Sequence, residues 1–215
     1  MAEITAQFTS ASGAMLLLLG AFHGINPGMG WLFAVALGLQ ERRRSAVWRA
    51  LLPLGVGHAL AVGAAVAVAV LAGAIIPMRQ LRWGVAGILL AVGISRVLRH
   101  RHPRWAGMCV GMGGLTLWSF LMASAHGAGL MVVPLFLRAA LTAGEPACHS
   151  YAAASGKAAI VATALHASAY LVVTAVIAVL VFEKLGVGLL RKARFNLDLI
   201  WAVSLAATGL IAVLW

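Results

Sequence analysis

The chain has 215 residues, of which 63% are hydrophobic and 10% are charged, and its formal net charge is +11. This composition lies outside the range of soluble globular domains, and several apolar runs are long enough to cross a hydrocarbon core about 30 Å thick. The basic residues lie between the apolar runs, so they are interpreted as determinants of membrane topology rather than as a nucleic-acid surface. The sequence therefore predicts an all-α integral membrane protein whose main surroundings are lipid.

Six apolar segments are predicted to cross the membrane as helices. Their approximate ranges are 10–39, 51–76, 82–98, 107–137, 157–182 and 195–215. The first and fourth segments are too long for one straight helix, and each contains glycine together with Pro27 or Pro134. Both are therefore predicted to be broken, which the membrane interior tolerates only where protein or a polar cavity satisfies the backbone.

The distribution of basic residues predicts the orientation of these segments. Twelve of the sixteen Lys and Arg residues lie in or beside the connections after the first, third and fifth segments. By the positive-inside rule, these connections are cytoplasmic and both chain termini lie outside the cell's plasma membrane. Residues 1–106 and 107–215 would then form two three-helix repeats of opposite orientation within one membrane domain.

Paired histidine motifs support this inverted repeat. His23 lies in AFHGINPGMGW, in the first segment, and His126 lies in SAHGAGLMVVP, in the fourth. Each is followed in the next segment by one further histidine, His58 in GHALAV and His166 in LHASAY. Counted from the predicted segment starts, His58 and His166 lie about 10–14 Å deep from opposite faces. Polar residues recurring at related depths in two halves are typical of a central site in a transporter.

The residue types at these positions favour a transition metal over a hard cation. Neutral imidazole binds Ni, Cu, Zn and Fe, so the histidines of four helices could converge on one metal site. His23 and His126 are predicted to line it, with His58 and His166 on its access path or around its ligands. The thioether of Met29 is a further candidate ligand. No Asp or Glu lies deep in a predicted segment, which disfavours a carboxylate site for a hard cation. The residues predicted to line the substrate path are Asn26, Met131 and Ser124. The structural alternative is that each histidine joins two helices by a hydrogen bond.

HGINPGMG, from His23 to Gly30, resembles the first-helix signature of the nickel/cobalt permease superfamily, especially its NicO and UreH-like branches, which are related to LysE-type exporters. His23, Pro27, Gly28 and Gly30 fit one form of that signature, while Asn26 and Met29 stand where it has an acid and a second histidine. GHALAV is similar to the segment of the family's second helix that carries a histidine. The resemblance implies transition-metal transport, with His23 as a ligand.

Three functions are compatible with the sequence. The first is a transporter or exporter of a transition-metal ion, Ni or Co or a softer ion such as Cu, that works by alternating access. The second is a membrane oxidoreductase that holds haem or a metal through the same histidines. The third is an assembly protein whose glycine-rich helices dock onto a partner subunit or onto a second copy of the chain.

Overall fold

The computed structural model describes residues 10–98, 111–142, 148–185 and 197–214, and within these residues the protein is entirely helical. The helices in chain order are α1 Ser10–Ile25, α2 Trp31–Glu41, α3 Arg44–Gly73, α4 Met78–Leu98, α5 Met112–Ala125, α6 Ala128–Thr142, α7 Cys148–Leu180 and α8 Leu197–Leu214. A 3-10 turn, Pro27–Met29, joins α1 to α2, and a π-helical turn, Val181–Leu185, extends α7. The predicted all-α class is confirmed. The boundary predicted between residues 106 and 107 lies outside the described residues.

Some of these helices are long and apolar enough to cross a membrane. Helix α3 and the stretch Gly156–Lys184 in α7 qualify alone, and α5 with the first part of α6 qualifies as one span bent by 59°. Large apolar side chains on the long helices face outward, as lipid contact requires: Leu52 and Ile160 are each 71% exposed. These helices support the assignment of the chain to the membrane.

The first predicted break lies where the sequence placed it. Helix α1 ends at Ile25, and Asn26 then caps the 3-10 turn by accepting a hydrogen bond from the Gly28 N–H at 2.9 Å. Gly30, with a φ of 143°, follows the turn and precedes α2. Its backbone conformation is one that residues with a Cβ rarely adopt, so glycine permits the change of direction.

The second predicted break lies between α5 and α6, at His126 and Gly127, where the two helices bend by 59°. Gly127 has a φ of 71°, the left-handed conformation that commonly ends a helix. Pro134 lies farther along the chain, inside α6, because a membrane helix can accommodate a proline.

Helices α1 and α7 approach each other at backbone distance. A Cβ on Gly20 would overlap the His166 carbonyl oxygen, and a Cβ on Gly24 would lie 2.7 Å from the Tyr170 carbonyl oxygen. Because both contacts advance along the two helices together, α1 and α7 run in the same direction. Close packing over small residues is the usual way in which membrane helices associate.

Helix α3 makes two further contacts of this kind, one with each neighbour. A Cβ on Gly57 would overlap the Thr116 carbonyl oxygen of α5, and eight residues farther along α3 Ala65 lies against Gly129 of α6. Helix α3 therefore runs in the same direction as the α5–α6 pair. Helices α3 and α7 are antiparallel, because Gly55 of α3 lies against Leu171 and Gly63, farther along α3, lies against Thr163, earlier in α7.

The pair α4 and α8 is antiparallel. Gly93 of α4 lies against the backbone of Ala206, whereas Gly209 lies against Leu90, so α8 runs back along α4. The main helix contacts are thus α1 with α7, α3 with α5, and α4 with α8. All three join the first half of the chain to the second, so the two halves are interleaved rather than separately packed.

One end of the bundle carries two ion pairs. Arg44, at the start of α3, lies 3.0 Å from the carboxylate of Glu183 in the π-helical turn that follows α7, and Arg49 pairs with Glu41. The connection between α2 and α3 and the end of α7 therefore lie on the same side. The side chains are 38–58% exposed, so these pairs contribute little to stability.

We expect Gly24→Ala to destabilise the protein and Gly13→Ala, on the same helix, to leave its stability equal or higher. The added methyl at position 24 would meet the Tyr170 carbonyl and the Val173 Cβ, an overlap that costs about 1–3 kcal/mol. At position 13 nothing lies within 4 Å, and alanine favours the helix by about 1 kcal/mol. Thermal unfolding in detergent measures both, and equal melting temperatures would contradict the close packing of α1 on α7.

Candidate functional site

Three of the four predicted histidines lie together in the middle of the helix bundle. The ring centres of His23 and His166 are 4.9 Å apart, those of His58 and His166 are 5.4 Å apart, and those of His23 and His58 are 5.6 Å apart. All three side chains are fully buried. We call this group the histidine triangle.

Each member of the triangle comes from a different helix. His23 lies in the last turn of α1, His58 lies at the midpoint of α3, and His166 lies in the second half of α7. Helices α3 and α7 begin at Arg44 and Cys148, several residues earlier than the apolar runs indicate. His58 lies about 21 Å along α3, and its ring centre, 5.4 Å from that of His166, lies at the same level of the bundle.

Two of the three imidazoles make no hydrogen bond with the described residues. All four ring nitrogens of His58 and His166 are buried and lack a partner there. The Leu16 carbonyl faces the His166 ring, but without the geometry of a hydrogen bond. A buried polar group left unsatisfied costs about 1–3 kcal/mol. The alternative in which each histidine only bonds neighbouring helices is therefore poorly supported for this pair.

The His23 ring is oriented by its own helix. Its Nδ1 lies 2.6 Å from the Leu19 carbonyl oxygen, one turn earlier. A carbonyl oxygen can only accept, so Nδ1 carries the proton and, in the neutral ring, Nε2 carries the lone pair. His23 would therefore meet a ligand through Nε2.

His126 repeats the local geometry of His23 at the second break. Its Nδ1 lies 2.8 Å from the Met122 carbonyl oxygen, again four residues earlier, and it caps the end of α5. His126 is half-buried and lies within electrostatic range of His23. The structure therefore groups His23 with His58 and His166, and His126 lies outside the triangle but near His23.

Tyr170 joins the triangle to the first break. Its ring stacks on His58 with centres 3.8 Å apart and planes 10° apart. Its hydroxyl donates to the Met29 carbonyl at 2.6 Å, so a buried group in the 3-10 turn is satisfied from α7. Tyr170 is fully buried, and its hydroxyl leaves no room for a side chain at Gly30.

The remaining predicted site residues have different surroundings. Met29 is buried beside Tyr170, at the end of the 3-10 turn. Asn26 is buried, and its side-chain oxygen is engaged by the turn that it caps. Met131 is fully buried in the apolar core, whereas Ser124 is exposed on α5. Ser124 is therefore not part of the buried site.

The three imidazoles are ligands of the type that transition metals prefer, and their ring centres have a suitable spacing. Their nitrogens do not point toward a common centre. Three imidazoles bound to one ion at about 2.0–2.1 Å with tetrahedral angles place their ring centres about 5 Å apart, as here. Among the described residues, no three His, Cys, Asp or Glu side chains aim their donor atoms so as to hold a metal. Rotation about the Cβ–Cγ bond turns the nitrogens and leaves the ring centres nearly in place. Metal binding at the triangle would therefore require at least a rotation of these rings.

Helix α7 carries a row of buried polar residues, the α7 stripe, of which only His166 was predicted from the sequence. His166, Tyr170 and Thr174 follow one another at intervals of four residues, and all three are fully buried. Residues four apart lie on one face of a helix. A search for polar residues at this spacing within an apolar segment finds the stripe from the sequence alone.

No protein-family model, curated protein or solved structure matches this chain. The similarity of HGINPGMG to the nickel/cobalt permeases therefore stays a resemblance, and the function rests on the geometry of the triangle.

We expect Tyr170→Phe to lower the free energy of unfolding by about 1–3 kcal/mol, because the buried Met29 carbonyl loses its donor while the stacked ring is kept. Tyr170→Leu should cost more, since the stack on His58 is lost as well. Denaturant or thermal unfolding of both variants measures the difference. A Phe variant as stable as the parent would contradict the hydrogen bond from Tyr170 to the first break.

Proposed function

We propose that this protein is a membrane transporter for a transition-metal ion, with the histidine triangle as its substrate site. The observation that carries the proposal is the four buried ring nitrogens of His58 and His166 that lack a partner among the described residues. The centres of these two rings lie 5.6 and 4.9 Å from that of His23. Native proteins rarely leave such groups without a partner unless a ligand, ion or water completes them. A metal ion accepts nitrogen lone pairs that the surrounding apolar side chains cannot use.

Movement across the membrane, rather than binding alone, is supported by the arrangement of the helices. The relative directions of α1, α3, α5–α6 and α7, and the antiparallel pair α4 and α8, agree with six alternating spans, in which the α1–α2 and α5–α6 pairs would each make one broken span. A pseudo-two-fold that exchanges the halves converts the contact of α1 with α7 into that of α5 with α3. Inverted repeats with broken helices around a central site are characteristic of secondary transporters.

Local geometry at the two breaks supports the same symmetry. His23 and His126 each hydrogen-bond the carbonyl of the residue four positions earlier, and each lies beside the break of its span. Two broken helices that end in the same way are expected if the halves are repeats. The site would lie where they meet, and rocking of one half against the other would expose it to each side in turn.

Haem chemistry through the same residues is less well supported. Bis-histidine ligation requires two imidazoles on opposite faces of a porphyrin. In the triangle each ring lies within 5.6 Å of both others, so the third ring occupies the space that the macrocycle would need. A purified protein with an intense Soret band would contradict this argument and favour the oxidoreductase.

The ligand assignment is tested by metal binding to single variants. We expect His58→Ala and His166→Ala each to weaken binding by at least about 10–100-fold, the loss that removal of even an outer partner causes. His102→Ala is the matched control, because it makes the same change in an arginine-rich connection outside the described residues. Equilibrium binding to the full-length protein in detergent, with thermal unfolding to verify folding, measures the effect.

Two outcomes would contradict the metal site. One is that no transition-metal ion binds to the parent protein, and the other is that affinity is equal in the parent, His58→Ala and His166→Ala. Proteoliposomes loaded with a metal-sensitive dye then test transport, which should be lost in the same two variants and kept in His102→Ala. Variants that lose metal but keep a partner-binding activity would favour an assembly protein.

The proposed orientation is tested by reporter fusions. We expect fusions after Arg43 and after residue 190 to report the cytoplasm, and fusions after Pro77 and after residue 145 to report the outside, following the arginine-rich connections. Because Arg44 and Glu183 form an ion pair, the fusions after Arg43 and after residue 190 should report the same side of the membrane. Disagreement between them would refute the six-span arrangement.

A further inference from the structure

No acidic side chain that the structure describes lies beside the histidine triangle. Imidazole is a neutral ligand, so a bound ion keeps its full charge. Among the side chains that the structure describes, the acidic ones are Glu41 and Glu183, and both are exposed and paired with arginines at one end of the bundle. A cation in the triangle is therefore buried without a carboxylate from this part of the chain.

The charge of a bound ion, which no described carboxylate balances, limits which ions the triangle can hold. The penalty for moving an ion from water into a medium of low dielectric constant grows with the square of its charge, so it is about four times larger for a divalent than for a monovalent ion of similar size. Three neutral nitrogens repay this penalty incompletely for a divalent ion. Sites that bind divalent ions in proteins usually add carboxylate or thiolate ligands or retain water.

We propose that the triangle selects a soft monovalent ion of the Cu(I) and Ag(I) class over divalent Ni, Co and Zn. This inference rests on the proposed function, because it names the substrate of the same site. Imidazole and thioether are the donors that suit such an ion. Three imidazole nitrogens supply the low coordination number that these ions accept, so no further anionic ligand is required.

The residues at the first break add no charge beside the triangle. The Asn26 oxygen is neutral and is engaged by the Gly28 N–H. Met29 is buried, and its backbone carbonyl accepts a hydrogen bond from Tyr170, the ring that stacks on His58. The first break therefore leaves the triangle without a carboxylate one turn from His23.

The selectivity is measured with Ag(I), which has the charge and softness of Cu(I) but is not oxidised in air, against Ni(II), Co(II) and Zn(II). The two cysteines, Cys109 and Cys148, bind Ag(I) themselves, so they are replaced by serine in every protein compared. In that full-length background in detergent we expect one Ag(I) per chain at the triangle, bound at least about 100-fold more tightly than any of the divalent ions. Cu(I) under anaerobic conditions should displace Ag(I). Ag(I) binding should be lost in His58→Ala and kept in His102→Ala.

A variant that adds charge tests the cause of the selectivity. Asn26→Asp retains the oxygen that caps the 3-10 turn, and it adds one negative charge one turn from His23. We expect it to raise the affinity for Zn(II) relative to Ag(I) by at least about tenfold, because the charge favours the divalent ion more. Asn26→Ser, which keeps a capping oxygen without the charge, should leave the ratio unchanged.

The outcomes separate this inference from the function on which it rests. Binding of Zn(II) or Ni(II) as tight as that of Ag(I), and dependent on His58 and His166, would overturn the selectivity and leave the metal site standing. An unchanged ratio in Asn26→Asp would overturn the charge argument. Absence of all binding, or binding that His58→Ala and His166→Ala leave intact, would overturn both proposals.

Discussion

Backbone contact between α1 and α7 is the constraint on which the site depends. Membrane helices gain little from the hydrophobic effect when they associate, so close packing over small residues must hold them together. Gly20 and Gly24 permit α1 to lie directly on the backbone of α7 at His166 and Tyr170. That contact sets His23 beside His166, and the corresponding contact of α3 at Gly57 orients His58 toward both. Any larger residue at these glycines would separate the helices before it altered a ligand.

The helices and the histidines could be predicted from the sequence because their signals are local. Each apolar run is a helix in the described residues, and the break near Pro27 follows from residues that cannot continue a helix. Convergence of histidines from different helices is predicted by the sequence, but which of them lie closest together is not. That depends on how whole helices approach one another, which the backbone contacts of Gly20, Gly24 and Gly57 set. The start of α3 also differs from the apolar pattern: the pattern begins near residue 51 and the helix at Arg44, since a helix continues through the polar boundary as long as its backbone is satisfied.

The position of the second break and the role of the α7 stripe are two further features that depend on tertiary packing and could not be predicted from local sequence signals. Pro134 has the stronger sequence signal for a break, yet the bend lies at Gly127, because the neighbouring Gly129 packs against α3 and the chain must turn before that contact. Tyr170 and Thr174 resemble ordinary residues of an apolar segment until α7 is seen beside α3 and α1. Each of these polar residues is inconspicuous alone in the sequence. Their spacing of four residues places them on one face of α7, where they can act on the same site.

The stack of Tyr170 on His58 has a practical consequence for spectroscopy. The chain has only two tyrosines, Tyr151 and Tyr170, so isotope labelling of tyrosine rings would give a spectrum with few signals. The ring current of the imidazole shifts the resonances of a tyrosine held 3.8 Å away and nearly parallel. When His58 turns, the shift changes, so the protein contains its own reporter of the orientation of this imidazole.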